Sequence, residues 1–198
     1  MPRPRTFDET DVVAAARDEF WTRGYAATSV DDLTNVTGLG KGSLYGAFGD
    51  KHGLFVRALD DYIGSALDKV RAQLREPRYC AYDRLVRHIR AQVRAIAADK
   101  SRRGCMMAKS AAELGATDDT VERAVERAYA TWAAELADCI GQAQRDGAID
   151  KKQNASPLAS TLLAFMRGQE ALYKGGVKPA QIRTAAEEMI SLIPTGSE

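Results

Sequence analysis

The chain of 198 residues is poor in cysteine, histidine and aromatic side chains, and it has no long apolar run. Its three cysteines, Cys80, Cys105 and Cys139, are odd in number and far apart. That pattern argues against a disulfide scaffold and fits a reducing compartment. The two histidines, His52 and His88, form no Cys/His set with the spacing of a zinc site. No apolar stretch approaches the ~18 residues of a transmembrane helix, and the opening MPRPRTFDET lacks the apolar segment of a secretory leader. The expectation is a cytoplasmic protein without a membrane partner. A net charge of +1 excludes a protein that coats nucleic acid by bulk charge, but not a local DNA-reading surface. No nucleophile–base pair, phosphate loop, metal motif or informative pair of carboxylates is present, so neither an enzyme nor a cofactor is expected. An all-helical enzyme is the weaker alternative.

What is present is helical periodicity from end to end, with no hairpin signal. Val12, Val13, Ala16 and Phe20 mark a first helix that Gly24 ends. Thr28 or Ser29 caps a second, short one, with Leu33 and Val36 expected to point inward. Gly38-Leu39-Gly40 breaks the chain before a third helix over about 41–48. Asp50 caps a long fourth helix that runs to about Leu74. Leu85, Ile89, Val93 and Ile96 mark a fifth helix, and a sixth runs from Cys105 to about Leu114. The seventh opens at Thr117 with Asp118 and Asp119, acids suited to the positive end of a helix. Ser156-Pro157 starts an eighth, and Pro179 a ninth that ends near Ile193. The fold class is all-α with about nine helices. The expected division is a three-helix DNA-binding domain over residues 1–50 and a helical domain for ligand binding and dimerisation over 51–198.

Two short helices joined by a glycine turn, with a third helix behind them, form a helix-turn-helix. Lys41, Gly42 and Ser43 fall at the N-terminal end of the reading helix, where small residues permit close approach and backbone N–H groups suit phosphate. Tyr45 follows the inward Leu44 and faces out, placed to touch a phosphate or thymine methyls.

The stretch FWTRGYAATSVDDLTNVTGLGKGSLYGAFGDKHGLF resembles the DNA-binding domain of TetR/AcrR-family regulators. Gly24-Tyr25, Thr28-Ser29-Val30, Gly38, Leu44-Tyr45, Phe48, Lys51 and Leu54-Phe55 carry the likeness, which covers about residues 8–59. It implies that Thr28, Ser29, Lys41, Gly42, Ser43, Tyr45 and Lys51 fall where family members touch DNA. Two features depart from the pattern. Gly46-Ala47 stands where many members have aromatic or His residues. Residues 1–51 also carry six basic and eight acidic side chains, a poor balance for non-specific binding. Arg3 and Arg5 in the Pro-spaced tail are candidates for a minor-groove arm, though a tail that never touches DNA is the expectation.

The resemblance further implies a repressor that binds a palindromic operator as a homodimer, paired through its last two helices. A small apolar or amphipathic effector held among the central helices would release it. Helix phase offers Tyr62, Met106, Met107, Tyr129, Trp132, Phe165, Met166 and Gln169 as lining residues, with Glu113 or Glu170 as a polar anchor. An alternative is a thiol sensor of oxidants or electrophiles. Cys105 follows Arg102-Arg103-Gly104 at a helix start, where cations and the helix dipole favour the thiolate. GCMMAKSAAELG resembles a Gly-Cys segment of one TetR subgroup. Cys139, on an inward stripe, reads as packing, and Cys80 as an exposed loop residue.

Overall fold

The structure, a computed structural model, describes residues 7–196. The tail with Arg3 and Arg5 lies outside the described residues. Among the described residues are nine helices: α1 (Glu9–Arg23), α2 (Val30–Thr37), α3 (Lys41–Phe48), α4 (Lys51–Leu74), α5 (Ala81–Ala98), α6 (Met106–Leu114), α7 (Asp119–Arg145), α8 (Ala155–Lys174) and α9 (Pro179–Ser191). The described residues form no strand; a single antiparallel bridge pairs Ile149 with Thr195. None of the helices is long and apolar enough to cross a membrane.

The chain divides into two compact units. One holds the described residues of Met1–Ser65 together with Cys105–Glu126; the other holds Ala66–Gly104 and the described residues of Arg127–Glu198. Helices α4 and α7 each contribute a stretch to both.

In the first unit, the Asp8 carboxylate caps α1 by accepting the Thr10 amide at 2.8 Å. The α1 stripe Val12, Val13, Ala16 and Phe20 is buried. Phe20 meets Phe55 of α4 edge-on at 5.1 Å between ring centroids, and Tyr25 lies 4.9 Å from the same ring. Leu33, Leu44, Leu54 and Leu59 complete this small core; each such burial contributes roughly 1.5–3 kcal/mol. A reciprocal capping box starts α2: the Ser29 hydroxyl accepts the Asp32 amide at 3.0 Å, and the Asp32 carboxylate accepts the Ser29 amide at 2.8 Å. Gly38, at φ 69°, ends α2 in the left-handed conformation. Asp50 accepts the Gly53 amide at 2.7 Å at the start of α4. Val36 does not point inward as the sequence pattern implied. It is 43% exposed, because an eight-residue helix with Leu33 at its contact centre buries only a narrow stripe.

In the second unit α5 packs on α8 and α9, and α8 packs on α9. Leu85, Ile89, Trp132, Leu136, Ile140, Leu162, Met166, Ile182 and Ala186 fill its core. Helix α8 starts earlier than Ser156-Pro157 suggested. Asn154 is the cap, accepting the Ser156 amide at 3.2 Å, so Pro157 falls inside the first turn, where its missing N–H costs no hydrogen bond.

Candidate nucleic-acid interface

The turn at Gly38-Leu39-Gly40 sets α3 after α2, and Leu44 anchors α3 to the core. The opposite side of α3 is bare. Lys41, Gly42 and Ser43 are exposed, and Tyr45 is 44% exposed. No side chain caps α3, whose N-cap is Gly40. A Cβ added at Gly42 or Gly46 would meet nothing within 4 Å, so the backbone of this face is open to a large partner.

Charge on this face is already paired. Lys41 Nζ lies 2.9 Å from Asp31 Oδ1 of α2, and that hydrogen bond raises the lysine pKa. Lys51, at the start of α4, lays its ammonium over the Tyr25 ring, 4.3 Å from the centroid. Ser29 is exposed and its hydroxyl belongs to the capping box. Thr28 departs from the expected set. Its side chain is buried, and its hydroxyl donates to the Gly24 carbonyl at 2.7 Å. It shapes the turn before Ser29 instead of facing a ligand.

That turn has partners far along the chain. The Tyr25 and Ala26 amides donate to the Glu113 carboxylate at 2.9 and 2.6 Å. Lys109 donates to the Trp21 and Thr22 carbonyls at 3.2 and 2.8 Å. Glu113 is thus an exposed backbone-binding residue, not the interior polar anchor that helix phase allowed. Asp118 accepts the Thr120 and Val121 amides at the head of α7 and hydrogen-bonds His52 of α4. Burial opposes ionisation of Asp118, but these hydrogen bonds prevail and its pKa is lowered. Arg23 bridges Glu19 of α1 and Asp32 of α2 at 3.2 and 2.7 Å.

The candidate effector residues divide between the units. Tyr62, Met106 and Met107 belong to the first; Tyr129, Trp132, Phe165, Met166 and Gln169 belong to the second. Tyr62 meets Trp21 edge-on at 4.9 Å, and both methionines are buried. The second unit has a polar interior that the sequence pattern did not announce. The Trp132 indole N–H donates to His88 Nε2 at 3.1 Å, and His88 Nδ1 meets Gln73 Oε1 at 2.7 Å. Arg167 stacks on Trp132 at 4.7 Å and pairs with Glu170, whose pKa burial raises against the pull of Arg167. Gln169 is buried, and its Oε1 has no hydrogen-bond partner. His88 at helical spacing from Leu85 was the available signal: a histidine on an apolar stripe needs polar company.

Cys105 is the N-cap of α6 and only 5% exposed. Cys139 is buried, donates to the Ala81 carbonyl at 3.2 Å, and is pushed up to about 11 by burial. Cys80 is exposed. Among the described residues no three His, Cys, Asp or Glu gather as a metal site.

Two short helices, a glycine turn and an open, small-residue start to the second define a helix-turn-helix protein. The profile of bacterial regulatory proteins of the tetR family matches residues 12–58, and that of the tetracyclin repressor-like C-terminal domain matches residues 81–189. The chain belongs to the TetR family. The HTH-type transcriptional repressor ComR of Escherichia coli K12 is 27% identical over 192 residues, covering 97% of this chain and 91% of that protein. The repressor BdcR of the same strain is 40% identical over 76 residues, covering 38% of this chain and 39% of its own. A cysteine mutant of the TetR family regulator CifR, solved with a 26-bp double-stranded operator, superimposes with a TM-score of 0.83. It is 27% identical and covers 97% of this chain and all (100%) of its own.

Proposed function

We propose that this protein is a transcriptional repressor that binds a palindromic operator as a homodimer and leaves it when a small molecule binds. The observation that carries the reading is the bare face of α3: Lys41, Gly42, Ser43 and Tyr45 lie together, exposed, opposite buried Leu44. An uncapped helix start with an adjacent lysine suits phosphate, and an exposed tyrosine suits the groove edge. Ser29 and Lys51 flank it as further phosphate contacts. The repressor names of ComR and BdcR, and the operator bound to CifR, support the reading. In this reading residues 1–50 read DNA, and residues 51–198 hold the effector and the partner copy.

Half-exposed Ala185 and Met189 of α9, with exposed Leu172 of α8 and Leu192, offer an apolar surface for a second copy. Two copies related by a two-fold axis place two α3 helices on successive major grooves, hence the palindrome. The effector side rests on the second unit, where Gln169 Oε1 lacks a donor beside apolar Met166. An amphipathic molecule with one hydrogen-bond donor suits that environment. Release through Cys105 has less support, since reactive thiols are partly exposed and this one is buried.

The experiment is selection of bound duplexes from a random pool with the full chain at controlled salt, run beside Tyr45→Ala. A palindrome enriched by the parent and lost in the variant is the expected result. No enriched sequence refutes the operator reading.

A further inference from the structure

We infer that Glu113, aided by Lys109 and Asp118, positions the DNA-contacting groups from outside the helix-turn-helix; the inference rests on the operator reading above. Glu113 takes the Tyr25 and Ala26 amides, one on each carboxylate oxygen, at 2.9 and 2.6 Å. Both amides lie in the short turn that delivers Ser29 to the start of α2. One turn earlier on α6, Lys109 holds the Trp21 and Thr22 carbonyls in the last turn of α1. Helix C-termini present unsatisfied carbonyls and a negative dipole end, so a cation there is favoured.

The backbone is shaped to admit this pair. Gly24 has φ 92°, and a Cβ on it would stand 2.9 Å from the Glu113 carboxylate and 3.3 Å from Lys109 Cε. A side chain at residue 24 would therefore be strained and would push both groups away. The same segment reaches a second point. Asp118 hydrogen-bonds His52, the neighbour of Lys51. The Tyr25 ring, tethered through its own amide, supports the Lys51 ammonium and meets His52 edge-on. Residues 109–118 thus grip both the turn that carries Ser29 and the helix start that carries Lys51. Because Glu113 is exposed, its loss hands two amides to water and leaves the core untouched.

The test uses the full chain and the duplex selected by the parent. Affinity is measured across salt, with thermal midpoints, for the parent, Glu113→Ala, Glu113→Gln and Lys109→Gln. Glu113→Ala is expected to weaken binding about tenfold or more, with a slope of log K against log salt shallower by about one, because the Lys51 ammonium leaves its phosphate while neutral Ser29 adds nothing to the slope. Glu113→Gln, which keeps one acceptor oxygen, falls between. Lys109→Gln follows in the same direction. A merely structural role would change the folded fraction and leave the salt slope at the parental value. Parental affinity, or weaker binding with an unmoved slope, in Glu113→Ala overturns the inference while the operator reading stands. A parent that selects no duplex overturns both.

Discussion

Lowering the pH should destabilise this protein through His88, and the burial of that ring sets the size of the effect. The ring is fully buried on α5, 0% exposed. The Trp132 indole can only donate, so His88 Nε2 must be the acceptor and Nδ1 carries the proton to Gln73 Oε1. That is the neutral ring. A second proton would set donor against donor at Trp132 and add a cation near Arg167. Burial first, and the Arg167 charge second, push the pKa down to about 4. An unfolded histidine titrates near ~6.5. Between those values the unfolded chain binds a proton that the folded chain refuses, so stability rises with pH. The contribution is complete above the unfolded value, is lost as pH falls, and levels off below the folded value. From pH 7 to pH 5 the loss is about 2 kcal/mol, and the full window is worth about 3 kcal/mol. The assay is urea unfolding at fixed protomer concentration from pH 8 to pH 4.5, for the parent and His88→Gln. Glutamine can accept the indole N–H and does not titrate. Every other group, His52 included, is common to both proteins and cancels in the difference. Parallel stability curves for the two proteins would refute the reasoning.

Two further outcomes follow from the helix-turn-helix. Asp31→Asn releases Lys41 from its 2.9 Å partner and removes a negative charge from beside the start of α3. Exposed ion pairs are weak, so duplex affinity at low salt should rise only about two- to fivefold, and titration of labelled duplex measures it. Ser29→Ala should lower stability by about 1 kcal/mol through loss of the α2 cap, while Ser29→Asn retains the cap and the parental value. Thermal or urea midpoints decide, and equal midpoints for both variants would show that the capping box carries no weight.

The helices were legible because each is announced locally. Ser29 and Asp50 cap, Gly24 and Gly38 stop, and the buried stripes on α1 and α5 repeat at helical spacing. Local cues also explain the slips. Asn154 and Ser156 are both good caps two residues apart, and only the backbone shows which one caps the helix. Val36 has the spacing of a core residue, but it outruns the width of its helix. The bare face of α3 could be read from Leu44 and the small residues around it. What could not be read was the company those residues keep. Glu113 binds amides that lie 88 and 87 residues earlier, and no periodicity links them. Thr28 looked like a cap, and its burial depends on the Gly24 carbonyl that the folded turn offers it.

The charge count of the N-terminal segment gains meaning once each acid is placed. Its acids outnumber its bases, yet most of those placed by the geometry have internal work. Asp8 and Asp50 cap helices, Asp32 joins the capping box and Arg23, Glu19 pairs with Arg23, and Glu9 pairs with Arg57. A carboxylate engaged with amides or a guanidinium projects little field beyond a Debye length of about 8–10 Å. Asp31 differs, since it is exposed and its partner is the lysine at the head of α3. On the operator reading a phosphate at Lys41 must displace it, at the same cost for any duplex. On that reading, Tyr45 and the Lys51 held over Tyr25 act through their position. Displacing Asp31 then costs the same on arbitrary and on well-fitted DNA, so on the operator reading specificity comes from the fit of α3 and its neighbours to the duplex and not from the number of acids.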